Sequence, residues 1–241
     1  MATDTSFGMV RVFDDFVLDS DALWLTSADT GGTTAVVADG TAHLGGRLRL
    51  ATDTTDDDMN EVATGLCFQV LDTGPLVMEA RIMVETGAVA TDIAITVGFN
   101  DDPTEASNTL PVELAGTTFT SNSSTFAGFV YDIDATNDDW HVFSVDDDAD
   151  TTTAIADLRV TGKAPVADTW ETLRVVLFDN GTGNPSKAEF YRNGKLEKTL
   201  ASTLDRDAVL CAHIAAENRA AAAHNLDVDY IYVMGGRGTA A

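Results

Sequence analysis

The sequence is poor in most of the features that announce a function. No stretch approaches the ~18 consecutive apolar residues of a membrane-spanning helix, so no membrane partner is expected. Basic residues are scarce: 14 Lys and Arg stand against 39 Asp and Glu, for a formal net charge of −25. A surface this acidic repels nucleic-acid phosphates and anionic lipid, which excludes DNA and RNA as partners. There are two cysteines, Cys67 and Cys211, too few for a disulfide framework. Each sits in an apolar run (Gly65-Leu66-Cys67-Phe68 and Val209-Leu210-Cys211-Ala212), which predicts two buried thiols; a disulfide or a shared metal is the other reading. Aromatics make up only 7% of the chain, few for a protein that stacks sugars on rings. The four histidines, His43, His141, His213 and His224, have no metal-ligand spacing and no neighbouring Ser or Cys nucleophile. No glycine-rich phosphate loop is present. The start, Met1-Ala2-Thr3-Asp4-Thr5, lacks a basic, apolar leader, so synthesis in a cytoplasm without export is expected.

What the chain does have is short strand-like runs. Hydrophobic residues reach 44%, enough for a sizeable core. Asp far outnumbers Glu, and its short side chain suits turns rather than helix interiors. Val10 to Leu18 reads as a first strand, bent at Asp14-Asp15. Val36, a turn at Asp39-Gly40 and Ala42 to Leu50 form a predicted hairpin. Further strands are expected at Val62 to Leu71, Leu76 to Glu85, Asp92 to Phe99, Phe126 to Ile133, Trp140 to Val145, Ile155 to Val160, Val209 to Ala215 and Leu226 to Met234. Leu76, Met78, Ala80, Ile82 and Val84 alternate onto one face. Asn100 to Ser124 is irregular and is expected to be a long surface loop with a helical turn. Ala220 to Ala223 reads as a loop with at most one helical turn. No linker divides the chain: an arm (1–9), one domain (10–234) and a flexible tail (235–241) are expected.

The most telling stretch is Trp170 to Leu177, a turn at Asn180-Gly181, then Ala188 to Arg192 and a tight Asn193-Gly194 turn before Lys195 to Leu200. Both turn residues tolerate positive φ. A strand opened by Trp, then a hairpin closed by Asn-Gly-Lys, resembles the concanavalin A-like (laminin-G-like) jelly roll. The closing run Asp227 to Val233 is similar to the final strand of such domains. The resemblance implies an all-β, two-sheet antiparallel β-sandwich with first and last strands adjacent. The same mix, with Glu217-Asn218-Arg219 before an Ala run, resembles jelly-roll proteins encoded by tailed bacteriophages. That implies a virion structural protein, a decoration or cement protein on the outer capsid surface. Its partner would be the major capsid protein, its own state a dimer or trimer, with the N-terminal arm adding a strand to a neighbour. The other function considered is a lectin-like module of a tail fibre or adhesin, holding a host-surface glycan.

Glucanases of this fold pair carboxylates on one strand face as Glu-x-Asp-x-x-Glu. That pattern is absent; Asp132-Ile133-Asp134 has no Glu to complete it, so no enzyme is expected. Asp132, Asp134 and Asp138 alternate like the front of a calcium loop. The sixth position is Asn137 and the twelfth Phe143, which excludes an EF-hand and leaves an irregular Ca2+ site. Asp56-Asp57-Asp58 and Asp146-Asp147-Asp148 are similar candidates. Clustered carboxylates at strand ends are otherwise ordinary solvated turns. Of the three tryptophans, Trp170 is expected in the core, and Trp140, beside Asp138-Asp139, at a surface rim as the ligand contact.

Overall fold

A computed structural model describes residues 9–17, 24–29, 31–38, 46–71, 74–85, 92–105, 109–147, 149–150, 158–201 and 204–237. Eighteen strands lie among them, β1 to β18 in chain order, in two large antiparallel sheets and one small hairpin. The nine-stranded sheet runs β16 (Lys195–Leu200), β15 (Lys187–Arg192), β14 (Glu171–Phe178), β7 (Leu76–Val84), β18 (Asn225–Arg237), β4 (Gly46–Ala51) and β3 (Thr33–Ala38). Strands β1 (Met9–Asp14) and β6 (Phe68–Gln69) also pair with β18. The seven-stranded sheet runs β13 (Ala149–Asp150), β12 (His141–Asp146), β11 (Phe126–Asp132), β8 (Ile93–Asn100), β17 (Cys211–Asn218), β5 (Met59–Ala63) and β2 (Leu25–Ala28). The first and last strands are adjacent, as expected for a jelly roll.

Period-2 patterning puts the core between the sheets. In β7, Leu76, Met78, Ala80, Ile82 and Val84 are buried while their neighbours are half-exposed. They meet Ile93, Ile95, Val97 and Phe99 of β8 and Phe129 of β11 in one core cluster. Turn chemistry follows the sequence too. Asn193 and Gly194 both take positive φ (50° and 76°), and the turn they make joins β15 to β16 with Arg192 opposite Lys195. The Asp14-Asp15 bend arises because the Asp14 carboxylate accepts the Phe16 N–H (2.8 Å) and the Trp24 indole N–H (2.8 Å), ending β1.

Several expectations change. Val62 to Leu71 is not one strand: β5 ends at Ala63 and the short β6 joins the other sheet. Leu158 to Val160 forms only a bridge from Arg159 to His141, and 155–157 lie outside the described residues. The last strand runs to Arg237, three residues into the expected tail, and Met9 of the expected arm already pairs in β1. Ala220 to Ala223 is a loop, as expected.

The largest change is at Asn100 to Ser124. This stretch is not a surface loop with a helical turn but a lid, containing a hairpin of β9 (Val112–Ala115) and β10 (Thr118–Ser121). Val112 and Leu114 pack with Phe126, Val130, Phe143 and Val145; Leu110 packs with Met59, Ala94 and Ala215. Phe119 stacks on Phe143 at 4.1 Å between ring centres. Leu110, Val112 and Leu114 are wholly buried, and this apolar burial holds the segment on the sheet. Strands β8, β11 and β17 are consequently buried on both faces.

Candidate functional site

The lid is pinned by carboxylates that rise from the seven-stranded sheet. Glu61 of β5 accepts the Glu105 N–H (3.0 Å), Glu217 of β17 accepts the Leu110 N–H (3.2 Å) and Asp132 of β11 accepts the Leu114 N–H (3.0 Å). Glu61 also bonds His213 Nε2 at 2.8 Å, with both side chains fully buried. The Glu105 carboxylate returns to the sheet, accepting from Asn100 Nδ2 (2.5 Å) and Ser123 Oγ (2.6 Å). Burial pushes the Glu105 carboxyl above its usual range, against the pull of those two hydrogen bonds. Close by, Arg219 gathers Asp132 (2.7 Å), Glu113 (3.1 Å), Asp57 (3.6 Å) and Glu217. Burial raises the Glu217 carboxyl to about 8, and Arg219 opposes that rise. No single motif announces this acidic floor, because its members come from strands far apart in sequence. The available signal was carboxylates alternating with apolar residues in strands: Glu61, Asp132 and Glu217.

The outer face of the nine-stranded sheet carries a row of exposed and half-buried side chains among the described residues. Ladder register places Phe13, Tyr232, Glu79, Arg174, Tyr191 and Leu196 in one row across β1, β18, β7, β14, β15 and β16. Phe13 is 60% and Leu196 45% exposed; the four between are half-buried. The Arg174 guanidinium lies 4.5 Å from the Tyr191 ring centre, and Arg81 lies 5.1 Å from that of Trp170. Phe13 packs on Tyr230 at 5.8 Å, and Tyr230 donates to Glu79 (2.8 Å). Tyr191 donates to Glu189 (2.6 Å), which raises the phenol and, with Lys187, lowers the carboxyl. Arg11, Arg47, Arg49, Arg81, Arg174 and Lys187 share this face, six of the chain's 14 Lys and Arg. On a chain this acidic, the concentration gives the sheet face a local balance the rest of the surface lacks.

The two tryptophans exchange their expected places. Trp140 is not a rim residue but wholly buried, its indole donating to Glu171 (3.0 Å) and its ring against Phe129 and Tyr131. The cause is its position just before β12, where an apolar neighbour sequence carries it inward past the acidic pair. Trp170 is not core but half-buried beneath Arg81. Cys67 is exposed and only Cys211 is buried, its thiol donating to the Asn100 carbonyl (3.2 Å).

The calcium candidates of the 132–138 and 146–148 stretches do not converge. Asp132 is buried and engaged by Arg219; Asp134 and Asp138 are exposed; Asp146 accepts the Asp205 N–H at 2.8 Å. Asp148 and His43 lie outside the described residues. Among the described residues, no group of three or more His, Cys, Asp or Glu is placed to hold a metal ion.

No protein-family model and no curated protein matches the chain. Solved structures do. The carbohydrate recognition domain of Emp47p matches with a TM-score of 0.62 at 12% identity, covering 96% of this chain and 96% of that one. Peanut lectin matches with a TM-score of 0.58 at 10% identity, over 94% of this chain and 97% of that one. The endo-β-1,4-glucuronan lyase from the fungus Trichoderma reesei matches with a TM-score of 0.60 at 11% identity, over 93% and 94%. The chain therefore has the concanavalin A-like, legume-lectin-like jelly-roll fold, a scaffold shared by lectins and at least one polysaccharide lyase.

Proposed function

We propose that this chain is a non-catalytic binding module that holds a glycan against the outer face of its nine-stranded sheet. The observation that carries this is the row from Phe13 to Leu196. Adjacent strands lie about 4.8 Å apart, so a row across six strands is long enough for several sugar rings. Half-exposed Tyr and Phe rings offer apolar faces, and the Glu79 and Arg174 side chains offer acceptors and donors to hydroxyls. Two of the structural neighbours are a carbohydrate recognition domain and a lectin. Among the described residues, the lid covers the outer face of β8, β11 and β17 of the opposite sheet. For the same reason its carboxylates do not meet substrate: Glu61 is fully buried and Glu105 nearly so. The test is a glycan array followed by calorimetry on the best hit, with Tyr191→Ala and Tyr232→Ala. Both variants should keep the wild-type melting temperature to within a few degrees and lose binding; unchanged binding, or an array without hits, overturns the proposal.

A second reading has its own support. The same face carries Trp, Tyr and Arg, the side chains that dominate protein-interface energetics. Such a face suits docking on a capsid, with the −25 charge favouring the outside, away from packaged DNA. A virion decoration protein, alone or as a dimer or trimer, would then be made in the host cytoplasm and bind the major capsid protein. Quantitative mass spectrometry of purified particles tests it: abundance near that of the major capsid protein supports decoration, and absence from particles rules it out.

A further inference from the structure

At one end of the sandwich, oxygen atoms converge on a point where hydrogen bonding cannot account for them. Asn218 is the last residue of β17 and is fully buried. Its Nδ2 lies 2.6 Å from Thr55 O, 2.9 Å from Ala220 O, 3.2 Å from Ala222 O and 3.3 Å from Asp53 O. A carboxamide has two N–H groups, so four carbonyls outnumber its donors. Its Oδ1 is buried with no partner. Asp58, opposite on the neighbouring strand through Asn218 N–H to Asp58 O (3.1 Å), is also fully buried. Its Oδ2 accepts the Asp53 N–H at 2.6 Å, while its Oδ1 has no partner. Asn60, two residues on and likewise fully buried, has an unpartnered Oδ1 as well.

Buried oxygens without donors are costly, and a charged group more so. Burial, then the nearby Asp53 and Asp29, pushes the Asp58 carboxyl above its usual range. Among the described residues no Lys or Arg is paired with Asp53 or Asp58; Arg219 reaches only their neighbour Asp57. Gly32 closes the side: a Cβ there would sit 2.5 Å from Asn60 Nδ2, 2.8 Å from Asn60 Oδ1 and 3.0 Å from Asp58 Oδ2, so a side chain would push on these groups.

We propose that these loops form a Ca2+ site, ligated by the carbonyls of Asp53, Thr55, Ala220 and Ala222, by Asn218 Oδ1 and by Asp58 Oδ1. The chemistry fits: Ca2+ takes six to eight oxygens at about 2.3–2.6 Å, carbonyls and carboxamides included, in irregular geometry. Which amide atom faces the carbonyls is set by the surrounding bonds, and turning the Asn218 amide over exchanges its nitrogen for oxygen. Mg2+ demands a smaller octahedral shell and suits the arrangement poorly. The ion would tie the β4–β5 loop to the β17–β18 loop and so clamp both sheets at one end.

The test uses the full chain, stripped with EDTA, in equilibrium dialysis against 45Ca2+ in about 0.15 M salt, where diffuse surface binding is screened. One Ca2+ per chain is expected, with a melting temperature raised by CaCl2 and not by MgCl2. Asp58→Asn should weaken binding roughly tenfold or more by removing the ligand charge. Asn218→Asp separates the proposal from a plain amide staple. A carboxylate has no N–H to give four carbonyls, so a staple would be lost with or without calcium; a calcium ligand would be kept, and the variant would fold with a larger calcium-dependent rise in melting temperature. Absence of stoichiometric binding to the wild type, equal effects of Ca2+ and Mg2+ on melting, or an Asn218→Asp variant equally destabilised in both conditions would each overturn the proposal.

Discussion

Glu217→Gln isolates the electrostatics under the lid. One guanidinium, that of Arg219, faces Asp132, Glu113, Asp57 and Glu217, and the Arg219 side chain is itself only 7% exposed. One positive charge cannot compensate four ionised carboxylates. Burial raises the carboxyl of Glu217, whose side chain is 1% exposed, to about 8, so this is the group that keeps its proton. In the unfolded chain a Glu releases its proton near pH ~4.3. Between those values the folded state holds more protons than the unfolded state, so stability falls as pH rises through the window. Below the unfolded value the contribution is complete and flat. A tenfold difference in proton affinity between the two states corresponds to about 1.4 kcal/mol, so across the window the effect has a ceiling of a few kcal/mol, reduced by Arg219.

Gln keeps the size and an acceptor for the Leu110 N–H but cannot titrate. Urea unfolding followed by Trp fluorescence from pH 5 to 8.5 should show the wild type losing stability with rising pH, by about 1 kcal/mol for each step of one in pH near neutrality. The variant should lose less and be the more stable protein at pH 8. Glu105 and Glu171 are also raised by burial and leave a residual slope in both proteins, so the informative quantity is the difference between the curves. Parallel curves would show that Glu217 is ionised throughout and that the argument from charge count is wrong.

Trp140→Ala should destabilise by about 3–5 kcal/mol, because it opens a cavity beside Phe129 and leaves Glu171 Oε1 without its indole donor; a midpoint unchanged in urea would contradict the buried placement. A thiol reagent should label Cys67 rapidly and Cys211 only on unfolding, since Cys211 lies under the lid with its thiol pushed above its usual range by burial; two fast thiols would refute this. Gly98→Ala should fail to fold, as the new Cβ would meet Ala127 O at 2.4 Å and Gly128 Cα at 2.5 Å, both backbone; a soluble, cooperatively melting variant would show that the strands can separate there.

Sequence pattern made the two sheets legible where one face is wet. Leu76 to Val84 alternates because its outer face meets solvent, and Asn193-Gly194 declares its hairpin through positive φ. It made the lid illegible for a complementary reason. Strands β8, β11 and β17 are mostly apolar or small on both faces, which is the pattern of a doubly buried strand, yet the segment that covers them reads as irregular. Its Leu110, Val112 and Leu114 are too few, and too interrupted by Pro111 and Glu113, to announce a hairpin. The misplacement of Trp140 has the same root: adjacency to Asp138-Asp139 signals a surface, but Asp139 turns to hold Arg159 and the Gly162 and Lys163 N–H groups, so the acidic pair marks a pinned corner rather than a rim.

The lid also decides where a partner can be met. A jelly roll has two outer sheet faces on which to build an extended site. Here the lid occupies the face of the seven-stranded sheet over β8, β11 and β17, and the carboxylates beneath it are engaged: Glu61 by His213 and Glu105, Asp132 by Arg219 and Leu114, Glu217 by Arg219 and Leu110. Opening it would expose three aliphatic side chains and strip donors from three carboxylates, a cost well beyond what a weak ligand contributes. The nine-stranded face needs no such opening. Its rings are already held by cross-strand Arg and Glu, so binding there loses little further side-chain entropy. On the proposed reading, recognition falls to the sheet whose strands carry most of the chain's Tyr and much of its Arg.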